Sequence, residues 1–138
     1  MNRPHNDQND LVMQWIDKAE HDYHAALYLL ESAEHEVPYD VVCFHSQQCV
    51  EKYMKAAGVN EGMVIPRTHD LLELLDLLPP SVRQSILANE CAELNPYGID
   101  IRYPGFMEGP AREDAARALS IANRVRTVCR VFLLKKPV

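Results

Sequence analysis

Residues 39–56 read YDVVCFHSQQCVEKYMKA. Val42, Cys43, Ser46, Cys49, Val50, Tyr53, Met54 and, one residue on, Ala57 recur at helical spacing and form a wide apolar and small-residue arc. His45, Gln48, Glu51, Lys52 and Lys55 fall on the other side, and periodicity alone reads them as a solvated face. Glu51 and Lys55 stand at the i,i+4 spacing that supports an exposed helix. Pro38 precedes the segment, and Gly58 punctuates its end, so the pattern predicts a helix over 39–57.

The pattern continues outward in both directions. From Asp10, LVMQWIDKAEHDYHAALYLLES runs without Pro or Gly; Leu11, Trp15, Ala19, Tyr23, Ala26, Leu27 and Leu30 give it a helical stripe. Residues 1–9 read as a disordered tail. After the loop VNEGMVIPRT, a short helix starts at Thr68 or His69 and ends at Pro79–Pro80. Ser81 is placed to cap SVRQSILANECAEL, whose apolar positions are Ile86, Leu87, Cys91 and Leu94. The loop NPYGIDIRYPGFMEGP follows, and Pro110 opens a last helix with the stripe Ala115, Ala118, Leu119, Ala122, Val125, Cys129, Phe132 and Leu133. The expected fold is all-α: one domain over 1–138, a four- to five-helix up-and-down bundle.

Composition excludes several classes. Charge-free stretches fall short of the roughly 20 residues that span a bilayer, and MNRPHNDQND has no apolar signal core. Four dispersed cysteines make no CxxC, so buried free thiols in a reducing cytoplasm are expected, with no cofactor. His21, His24 and Asp17 mimic a metal stripe, but no matching pair stands on another helix, so no metal is expected. The net charge is −6, split between −11 over residues 1–109 (7 Lys/Arg, 18 Asp/Glu) and +5 over 110–138 (7 against 2). The acidic body argues against binding duplex DNA. The basic C-terminal segment either neutralises the acidic helices it packs on or makes a local anionic contact.

Four blocks in order resemble the HEPN domains, small helical domains named for higher-eukaryote and prokaryote nucleotide binding. The first is Trp15, Ala19, Asp22 and Tyr23. The second is Phe44, Gln47, Gln48, Glu51, Lys52 and Lys55, and the third Pro66, Thr68, His69, Asp70 and Leu71. The last is Arg102, Tyr103 and Pro104. The resemblance spans roughly residues 10–134 and implies a HEPN-like bundle. Many HEPN domains resemble metal-independent ribonucleases, with an Arg followed by four to six residues and a His, contributed twice across a dimer. Arg102 stands where such an Arg belongs, but Met107, Glu108 and Gly109 follow it and no histidine occurs after His69. The resemblance is therefore closer to HEPN proteins paired with a small nucleotidyltransferase, in toxin–antitoxin or defence settings.

The expected function is a homodimeric binding module for a nucleotide, RNA or a nucleotidyltransferase partner. Its ligand-binding residues are Arg102, Tyr103, His69, Lys52, Lys55, Gln48, Glu51 and His45, converging on a shallow basic cleft. The alternatives are a ribonuclease using Arg102 with His69 or His45, and a purely structural dimerisation domain. Bland readings stand beside these: His69 satisfying a helix start, and Arg102 bracing its loop on a carboxylate such as Glu51.

Overall fold

A computed structural model of the chain describes residues 7–33, 36–98 and 109–134. Among them there is no strand. Three long helices, α1 (Asp7–Glu31), α2 (Tyr39–Asn60) and α6 (Arg112–Leu134), carry the bundle. Three short ones, α3 (Leu71–Leu77), α4 (Pro80–Arg83) and α5 (Ala88–Leu94), cover one side, and a 3-10 turn at Asn95–Gly98 follows. The chain is all-α, as its periodicity requires. No helix among the described residues is long and apolar enough to cross a membrane.

The pairings fix the directions. Asp22 meets His45 and Lys52, and Gln8 Nε2 donates to the carbonyls of Val59 and Asn60, both at 2.8 Å, so α1 and α2 run antiparallel. Glu20 meets Arg126, and Arg112 reaches the Leu30 carbonyl, so α6 is antiparallel to α1 as well. The Gln8 bonds also explain why α1 begins at Asp7, inside the segment expected to be a tail. That side chain staples the first turn of α1 to the last carbonyls of α2, groups a helix end leaves unsatisfied.

Helix α2 sits at the centre. Its predicted arc is fully buried, from Val42 through Ala57, and Cys49, Val50, Tyr53 and Met54 lie in the core with Leu71, Leu74, Leu94 and Ile121. The four cysteines are free and buried, and burial raises the thiol pKa to about 11 for Cys91 and about 12 for Cys43 and Cys129. They are inert packing groups.

Several sequence expectations need correction. On α1 the core stripe is Val12, Ile16, Ala19 and Ala26, while Leu11 is exposed and Trp15, Tyr23 and Leu27 pack only at the margin. Two stripes one residue apart both fit the period, and packing on α2 selected the other. Gly58 does not end α2. A Cβ there would stand 2.3 Å from Ile65 Cδ1, so the glycine makes room for the returning chain. The turn falls instead at Gly62, φ +75°, where Glu61, Gly62 and Met63 donate back to the carbonyls of Gly58, Val59 and Gly58.

The expected helix from Ser81 is split. Ser85 and Ile86 tighten onto carbonyls three residues back, Leu87 turns extended, and its carbonyl starts α5. This buries Ile86 and leaves Leu87 out in solvent. Pro110 stands just ahead of α6, whose start is closed by the Ala111 N–H donating to the Asp114 carboxylate at 2.8 Å. The basic segment largely neutralises the acidic helices: Arg117 pairs with Glu93, Arg124 with Glu90 and Arg126 with Glu20.

Candidate functional site

On α2 the supposed solvated face is a buried polar network. Glu51 is 3% exposed and Lys55 8%. Lys55 Nζ bonds Glu51 Oε2 at 3.0 Å, and the Nδ1–H of His69 donates to both Glu51 oxygens at 3.0 and 3.1 Å. Gln47, wholly buried, donates to the His69 carbonyl at 3.1 Å and to Glu51 Oε1 at 3.5 Å, and accepts from Gln48 Nε2 at 2.8 Å. Amphipathic reasoning missed this because a buried ion pair reads like a surface pair. The short helices of the α3–α5 cover supply the missing burial.

His69 lies just outside α3. Asp70 caps that helix, its carboxylate accepting from the Leu72 N–H at 2.9 Å and from Asn95 Nδ2 at 2.9 Å, while Asn95 Oδ1 accepts from the Leu71 N–H at 2.8 Å. The asparagine and backbone bonds hold the Asp70 carboxyl below its usual range. A carboxylate thus already occupies the α3 start, where an anion is most favoured. The His69 ring, 59% exposed, instead hangs over Glu51.

His45 and Lys52 gather elsewhere. The His45 Nδ1–H donates to Asp22 Oδ1 at 2.7 Å, and Lys52 Nζ lies 2.6 Å from Asp22 Oδ2. Asp22 is itself buried. So α2 takes part in two units of one design, a buried carboxylate held between a lysine and the Nδ1 of a histidine: Asp22 of α1 with Lys52 and His45, and Glu51 with Lys55 and the His69 that precedes α3. Two of the expected site residues, Arg102 and Tyr103, lie outside the described residues, as does the Arg102–Glu51 brace. Both Glu51 oxygens already have partners. The structure brings together His69, Glu51, Lys55 and Gln48, whereas the basic cleft is muted because each described lysine of the expected site faces a carboxylate. The signal that could have revealed Asp22 as the second anchor was its place in the Trp15–Tyr23 block. No group of three or more His, Cys, Asp or Glu among the described residues is arranged to hold a metal.

The HEPN domain model matches residues 12–132. The chain belongs to the HEPN domain family. Two solved structures are similar to this HEPN domain. One is TT1696 from Thermus thermophilus, 25% identical, TM-score 0.72, covering 86% of this chain and 95% of that one. The other is ST0689, an archaeal HEPN homologue, 26% identical, TM-score 0.66, covering 88% and 97%. No curated protein matches.

Gly98 ends the 3-10 turn of the HEPN bundle and packs on α2. A Cβ on Gly98 would lie 2.8 Å from the Gln47 amide carbon and 2.9–3.0 Å from its nitrogen and oxygen. The amide cannot yield freely, because it is pinned to His69, Glu51 and Gln48. Gly98→Ala is therefore expected to break one of these bonds and cost about 1–3 kcal/mol. A melting temperature equal to that of the parent would show that the amide swings aside at no cost.

Proposed function

We propose that this HEPN domain is a binding module for a phosphate-bearing ligand, a nucleotide or the end of a single-stranded RNA. It works as a homodimer and as the companion of a small nucleotidyltransferase in a toxin–antitoxin or defence setting. The observation that carries the ligand reading is the Glu51–His69 pair. A buried carboxylate fixes Nδ1, which leaves Nε2 of a largely exposed ring for a ligand. Gln48 and Lys55 donate to the same carboxylate and hold it in place beneath the ring. Arg102 follows Gly98 by four residues, so at most about 14 Å of chain separates it from that glycine, which packs on the Gln47 amide. In this reading Arg102 joins a phosphate bound at His69, where a guanidinium fork gives two parallel bonds.

The same pair favours cleavage as a second reading, because a carboxylate-oriented imidazole is built for proton transfer. The test is titration of adenosine monophosphate and a terminally phosphorylated single-stranded RNA into the parent and Arg102→Lys. Binding is expected to weaken about tenfold, or about 1.4 kcal/mol, with thermal stability nearly unchanged. The RNA is expected to stay intact without metal, since Arg102 has no histidine following it. Steady cleavage abolished by Arg102→Ala would replace the binding reading with the ribonuclease. Absence of binding, with a melting temperature lowered several degrees by Arg102→Lys, would make Arg102 a brace.

A further inference from the structure

The second carboxylate–histidine unit of α2 has no part in the function proposed above. The Nδ1–H of His45 donates to Asp22 Oδ1 at 2.7 Å, and Lys52 Nζ holds Asp22 Oδ2 at 2.6 Å. Asp22 is buried, while the His45 side chain keeps 28% of its surface in solvent. Among the described residues the one buried side-chain nitrogen or oxygen without a partner is Arg130 Nε, so the unpaired Nε2 of His45 opens to solvent.

This unit repeats the Glu51 unit part for part. There Lys55 Nζ holds Glu51 Oε2 and the His69 Nδ1–H donates to Glu51 Oε1, each at 3.0 Å, under a ring that is mostly exposed. At about 100° per residue, His45, Gln48, Glu51, Lys52 and Lys55 share an arc of about 120° on α2. Asp22 of α1 closes one edge of that arc and His69 the other, so both rings border the same polar strip. Gln48 lies in its middle, its amide nitrogen bonded to Gln47 Oε1 at 2.8 Å and to Glu51 Oε1 at 3.4 Å. His45 and Glu51 stand on opposite edges of the arc and about 9 Å apart along the helix axis, so one phosphate serves one unit.

Charge points to what each unit takes. Each lysine is balanced by its carboxylate. The Nδ1–H of each ring is committed to that carboxylate, so Nε2 donates only when the ring carries its second proton. The unit then has one net positive charge, stabilised by the carboxylate behind the ring and facing solvent at Nε2. We infer that His45 is a second anion subsite of the His69 site, and that the ligand is a nucleotide with two separate phosphates, one at each histidine. This ligand class rests on the reading above and narrows it from a phosphate-bearing ligand to a doubly phosphorylated one.

The test is calorimetric titration of the full chain with adenosine 3′,5′-bisphosphate and with adenosine 5′-monophosphate, in the parent, His45→Asn and His69→Asn. An asparagine amide replaces the Nδ1–H toward the carboxylate and offers nothing in place of Nε2. The parent is expected to bind the bisphosphate about tenfold more tightly than the monophosphate. His45→Asn is expected to abolish that preference, and His69→Asn to weaken both ligands. Equal affinities in the parent overturn the subsite, and monophosphate binding then leaves the His69 reading standing. A preference that survives in folded His45→Asn overturns it too. Binding of neither ligand sinks both readings. In the parent with carbon-13-labelled histidine, one equivalent of bisphosphate is expected to shift two ring signals. A single shifted ring overturns the subsite even where His45→Asn does not fold.

Discussion

Glu51→Ala is expected to destabilise the protein by about 3–5 kcal/mol, the cost of stranding a buried cation. Lys55 is 8% exposed and its ammonium bonds Glu51, so removing the carboxylate leaves the lysine buried against Trp15, whose ring it overlies at 5.4 Å. His69 and Gln47 lose an acceptor at the same time. For a domain of this size the melting temperature should fall by roughly 10 °C or more. Calorimetry on Glu51→Ala and on Glu51→Ala with Lys55→Met decides the cause. Restoring much of the loss by removing the lysine's charge is the expected outcome. A double variant no more stable than the single one would mean that packing, not charge, was lost.

Glu20→Gln should cost about 2–3 kcal/mol, less than Glu51 because the group is partly exposed. Burial alone would raise the Glu20 carboxyl pKa. The hydrogen bonds from Arg126 and Tyr53 and the charges of Arg126 and Arg130 together outweigh it and hold the carboxyl below its usual value. The sign follows from that direction. A carboxylate with a depressed folded-state pKa contributes its stability in full above the unfolded value, near pH 4.5, and loses it as pH falls through the folded one. Denaturant midpoints measured downward from pH 7 should therefore fall less steeply below pH 4.5 in Glu20→Gln than in the parent. Identical acid limbs would show that Glu20 contributes nothing through its charge.

These two carboxylates also show what was legible in the sequence and what was not. The helices were readable because an apolar period is a local signal: the buried arc of α2 and most of the α6 stripe sit where their spacing put them. Glu51 stood out through the resemblance as a candidate, but its burial was not readable, since nothing between 39 and 60 announces that α3 and the 3-10 turn will close over it. The grouping of Glu20 with Tyr53, Arg126 and Arg130 gave no residue-level signal. Their partners are 33 to 106 residues apart, and only the antiparallel register of α1 against α2 and α6 brings them together. The α2 boundary was misplaced because glycine serves two purposes, and Gly58 serves close approach while Gly62 serves the turn. The helix start expected at Thr68 or His69 passed to Asp70, whose side chain reaches the Leu72 N–H.

The central placement of α2 has an evolutionary consequence. The helix that supplies Gln48, Glu51 and Lys55 to the proposed site is also the one around which the core is packed, so under that proposal one segment answers to two selective pressures. A substitution there that retunes ligand preference is charged against foldedness, and only a chain with stability to spare can accept it. Relatives that diverge in what they bind are expected to keep α2 nearly fixed. Their variation should concentrate on the outward side of α1 and around His69, where a changed side chain meets solvent rather than the core. Homologues diverging chiefly along α2 would refute this.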